Sequence, residues 1–72
     1  MDREVLQYFM ELGYSYDYNH FSGSEEGSRI ANLVLKDMRE VIEQHPELKP
    51  VDKAFFAYWY KGDDKPQIED FI

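Results

Sequence analysis

The chain has no cysteine among its 72 residues. Disulfides and thiolate metal sites are therefore excluded, and with them two common supports of a small domain. Long apolar runs are missing as well, since no stretch approaches the roughly 18–20 residues that a membrane-spanning helix needs. Cations are scarce: eight Lys and Arg stand against fifteen Asp and Glu, for a net charge of -7. Phosphate contacts require clustered Lys and Arg, so direct binding to nucleic acid is not expected, nor is binding to anionic membranes. A partner with a basic surface would be attracted over about 8–10 Å at physiological salt. The start, Met1-Asp2-Arg3-Glu4, has no basic region leading into an apolar run. No signal peptide is expected there, and with the lack of cysteine a cytoplasmic location follows.

Histidine occurs only at His20 and His45, with no second ligand at metal spacing. Asp17-Tyr18-Asn19 begins like a calcium loop, but Ser22 stands where that loop requires Gly and Ser28 where it requires Glu. No metal and no cofactor is expected.

Aromatic residues are what the chain has in quantity, 17% of the total. The block Phe55-Phe56-Ala57-Tyr58-Trp59-Tyr60 is almost continuous aromatic surface. A domain of this size has a stability margin of roughly 3–5 kcal/mol from a single core. Rings that each bury about 150–250 Å² are the natural filling for it. Phe55, Phe56 and Trp59 are expected inside, with Tyr58 and Tyr60 at the boundary.

The spacing predicts a single all-α domain, residues 1–72, with three main helices over about 2–12, 23–45 and 52–61. A short helix over about 66–71 closes it. Asp2 is the N-cap of the first helix, with Met1 and Leu6 at the staple positions and Gly13 as its terminator. Ser22-Gly-Ser-Glu25 fits a capping box for the second, with Ser24 and Ser28 as alternative caps. Ile30, Leu33, Val34, Met38, Val41 and Ile42 form its apolar face, and Pro46 stops it. Asp52 and Gly62 bracket the third helix, although the β-propensity of residues 55–60 leaves an α+β alternative in which they form a strand. Pro66 opens the last helix, which packs Ile68 and Phe71. Residues 13–22 break the helical period with alternating tyrosines and are expected to be an extended loop.

No catalytic residue stands out. Glu25-Glu26, Asp63-Asp64 and Glu69-Asp70 are adjacent acids, which do not face one another on a helix and serve better as caps. Gly23 and Gly27 have neither the strand nor the Lys of a phosphate loop. The chain is therefore expected to be a non-enzyme.

The loop Tyr14–Phe21 mixes Tyr with Ser, Asp, Asn and His, as adaptable recognition surfaces do. Tyr14, Tyr16, Tyr18 and Phe21 are the candidate partner-binding residues, packing of the tyrosines over the helices being the competing role. The expected function is a small acidic protein-interaction module, regulatory or inhibitory, binding another protein or itself as a homo-oligomer. The alternative is an acidic DNA mimic that inhibits a nucleic-acid-binding enzyme.

Overall fold

Asp2 caps the first helix as its position predicts. In the computed structural model, which describes residues 2–72, its Oδ1 accepts hydrogen bonds from the amides of Glu4 (2.9 Å) and Val5 (3.4 Å). Met1, the other half of the expected staple, lies outside the described residues.

Helix α1 runs Arg3–His20, well past Gly13, so the expected extended loop over 13–22 does not exist. The period continues through the glycine: Leu6, Phe9, Gly13 and Tyr16 follow at spacings of three and four, and all four are buried. The missing side chain of Gly13 is where the third helix comes close. A Cβ there would lie 2.6 Å from two edge carbons of the fully buried Phe55 ring. Tertiary packing thus outweighs the cost of about 1 kcal/mol that Gly imposes on a helix interior. Alternating tyrosines on a helix point in different directions, about 200° apart, which makes their strand-like pattern incidental.

Ser22 finishes α1 rather than starting α2, its hydroxyl donating to the Asn19 carbonyl at 2.8 Å. Ser24 is the cap of helix α2 (Glu25–Gln44), with Oγ accepting from the Gly27 amide at 2.9 Å. Glu25 and Glu26 follow in the first turn, where the helix dipole favours them. Helices α1 and α2 run antiparallel, with Gly27 against Asn19 at one end and Val41 beside Val5 and Tyr8 at the other.

Pro46 ends α2 and opens a 3₁₀ turn, Pro46–Leu48, that leads directly into helix α3 (Lys49–Lys61). The third helix therefore begins before Asp52. That residue lies in its first turn and pairs with Arg39 of α2, whose guanidinium also sits 5.4 Å above the Phe56 ring. Residues 55–60 are helical, which removes the α+β alternative. Gly62 ends α3 in the left-handed conformation (φ 77°), and the Asp63 amide bonds the Ala57 carbonyl six residues back at 3.3 Å. The expected helix over 66–71 shrinks to a 3₁₀ turn, Ile68–Asp70, closed by the Gln67 amide on Asp70 (3.0 Å).

One core joins these elements: Leu6, Phe9, Met10 and Tyr16 of α1, Ala31 and Met38 of α2, Leu48, and Val51, Phe55 and Trp59 of α3. Four of the six residues expected on the α2 face, Val34, Met38, Val41 and Ile42, do pack on it, and the difference lies at one edge. Gly27, Ala31 and Met38 are buried, whereas Ile30 and Leu33 are 38% and 61% exposed. The apolar stripe of α2 is wider than the core it covers.

Candidate interaction surface

The tyrosines of α1 separate by direction. Tyr14 points to the C-terminal segment, donating a 2.7 Å hydrogen bond to the carbonyl of buried Pro66, with Lys65 Nζ 4.9 Å from its ring centre. Burial, then the carboxylates of Glu69 and Asp70, raise its pKa above the ordinary phenol value. It is a strap holding the chain end to α1.

Tyr16 points into the core, its ring 4.2 Å from Trp59 and stacked on His20 at 4.9 Å. Its hydroxyl meets that of Tyr60 at 2.7 Å. Burial first, and then this hydrogen bond, push the Tyr16 pKa up to about 12 from 10.0. A folded-state pKa above the unfolded one contributes stability that is complete below pH 10 and lost as pH rises through 12. Water reaching the exposed Tyr60 screens part of the effect, leaving about 1–2 kcal/mol. Denaturant titrations from pH 10 to 12 should show stability falling more steeply in the parent than in Tyr16→Phe. Parallel slopes would mean that the Tyr16 hydroxyl is neither buried nor paired with Tyr60.

Of the four candidates, only Tyr18 and Phe21 reach solvent freely, at 79% and 55% exposure. Phe21 borders a cleft of about 230 Å³ with Asp17, Tyr58 and Trp59, where the Tyr58 hydroxyl donates to Asp17 Oδ2 at 3.2 Å. Burial and the Asp17 carboxylate raise the Tyr58 pKa. Tyr14 and Tyr16 are thus engaged within the fold, and Tyr18 and Phe21 are the two of the four left in solvent.

A different surface does form, on the side of the α1–α2 hairpin away from α3. Along α1, Glu4, Tyr8, Glu11, Ser15 and Tyr18 recur at alternating spacings of four and three, with Ser15 half-buried and the rest exposed. Along α2, Glu26, Ile30, Leu33, Asp37, Glu40 and Gln44 do the same, and all are exposed. Neither line contains a Lys or Arg. Three of the four cations of these helices are engaged or placed elsewhere, and the fourth, exposed Lys36, borders the α2 line one turn from Leu33 and Glu40. Arg29 is 3.8 Å from Glu25, Arg39 is on Asp52 and Phe56, and Arg3 borders a separate cavity with Gln67 and Glu69.

Ile30 and Leu33 looked like core because they satisfy the 3–4 period. The signal against them is the neighbouring line Gly27, Ala31, Val34, Met38, whose small residues let α1 approach.

The two histidines are held structurally, His20 on Tyr16 and His45 with Nδ1 3.2 Å from Glu47 Oε1. Among the described residues, no three of His, Cys, Asp and Glu are grouped to hold a metal ion, and no helix is long and apolar enough to cross a membrane. No family model matches the chain, and neither the curated proteins nor the solved structures contain a match.

Proposed function

We propose that this protein is a small acidic protein-interaction module, a non-catalytic regulatory or inhibitory subunit of the cytoplasm, that binds another protein through the outer face of the α1–α2 hairpin. The observation that carries this reading is the exposure of Leu33 and Ile30, flanked by Tyr8 and Tyr18, in two lines of residues whose charged members are all carboxylates, with Arg29 and Lys36 at their border. Burying apolar side chains of this size stabilises a complex by about 25 cal/mol per Å² of surface removed from water. Surrounding carboxylates select a partner of opposite charge and speed the encounter. Self-association through the same face is disfavoured, because it would set one row of carboxylates against its copy.

The acids alone would also suit a DNA mimic, but Ile30 and Leu33 interrupt the row between Glu26 and Asp37 where a mimic needs charge. Capture of partners by the tagged protein from its native lysate, at low and high salt, separates the two. A partner retained at high salt supports the interaction module. Recovery only of a nucleic-acid enzyme that salt releases would favour mimicry.

A further inference from the structure

Between α1 and α2, at the end of the hairpin remote from the Ser22–Ser24 turn, lies an open groove of about 420 Å³. Half-buried Val5 and Val41 and the Tyr8 ring, 51% exposed, supply its apolar lining. Glu4, Asp37 and Glu40 border it. Among the described residues none of these three acids is in an ion pair, although Lys36 stands one turn from Glu40. His45, at the groove's end, is turned to Glu47.

We propose that this groove receives the basic side chains of an amphipathic helical segment carried by a partner protein. The inference rests on the reading of the outer face as a protein-binding surface and names the chemistry of what binds there. Charge complementarity selects the occupant. A guanidinium finds carboxylates from both helices, an aromatic face in Tyr8, and aliphatic side chains against which its own stem packs. A lipid headgroup surface is anionic and is repelled. A second copy of this chain brings its own carboxylates. Asp37 lies one turn from Leu33, about 6 Å along α2. An incoming helix with Arg one turn from Leu therefore fills the groove and covers Leu33 together.

The test is an amide chemical-shift titration of the intact protein with two synthetic 18-residue helical peptides. One carries Leu on one face and Arg on the other, and the second has Glu in place of every Arg. The Leu/Arg peptide is expected to shift Val5, Tyr8, Leu33, Asp37 and Val41 saturably. The Leu/Glu peptide is expected to leave them in place. The double variant Asp37→Asn, Glu40→Gln keeps the shape of these exposed side chains and should weaken binding about tenfold. Shifts that are absent, that spread evenly over the surface, or that survive unweakened in the double variant would overturn the inference. The broader reading fails separately. If a partner captured from lysate is lost with Leu33→Glu but held fully by the double variant, the face binds protein and this groove does not take its cations.

Discussion

Replacing Trp59 by Ala is expected to destabilise the protein by about 3–5 kcal/mol, which is close to the entire margin of a domain this size. The indole is the hub of the aromatic cluster, with ring centres of Tyr16 at 4.2 Å, Phe55 at 5.3 Å and Phe56 at 5.5 Å. Its removal leaves a cavity between α1 and α3 that neither helix can close without breaking the contacts around Phe55. Trp59→Phe should be far milder. The ring is largely replaced, and the indole N–H, buried without an acceptor, disappears together with its desolvation cost. Far-UV circular dichroism during thermal melting checks both. Trp59→Ala should have lost its cooperative transition at or below room temperature, while Trp59→Phe keeps one. If Trp59→Ala melts like the parent, the α1–α3 core is not what holds the chain together.

Gly13→Ala is expected to reverse the usual sign of its class. In an exposed helix interior this change stabilises by about 1 kcal/mol. Here the new methyl meets the edge of Phe55, which is fully buried and fixed by the rings of Phe9, Tyr14 and Trp59. Overpacking of this kind costs about 1–3 kcal/mol, so the net result should be a loss of up to about 2 kcal/mol. In a Phe55→Leu background the ring edge is gone and the ordinary gain should return. A double-mutant cycle in urea then gives a coupling of about 1–3 kcal/mol between positions 13 and 55. Additive effects would show that α1 and α3 do not touch there.

These two positions also show where the sequence was legible. The aromatic block of α3 reads as helix because Val51, Phe55 and Trp59 repeat every four residues and Gly62 marks the end, and the structure agrees. Gly13 misled for a physical reason. A glycine after an apolar helical run is a usual terminator, and only the approach of Phe55 from 42 residues away makes it an interior residue. Once α1 continues, the tyrosines after it cease to be a recognition loop. Tyr14 and Tyr16 become fixtures of the fold, and Tyr18 alone keeps a place on the outer face.

The surface itself was hidden by the same ambiguity on α2. Hydrophobic periodicity identifies a stripe but not which edge of it is covered when a helix carries more apolar residues than its neighbours can bury. Ala31 and Gly27, too small to score as core, mark the covered edge. Ile30 and Leu33, which score highly, lie on the open one.

The most direct test of the outer face is the fate of Leu33→Glu in capture from native lysate. Leu33 is 61% exposed, so the substitution should leave the melting transition within about 0.5 kcal/mol of the parent. The account expects the folded variant to lose a partner that the parent retains at high salt. A variant that folds normally and holds the same partner undiminished would contradict it.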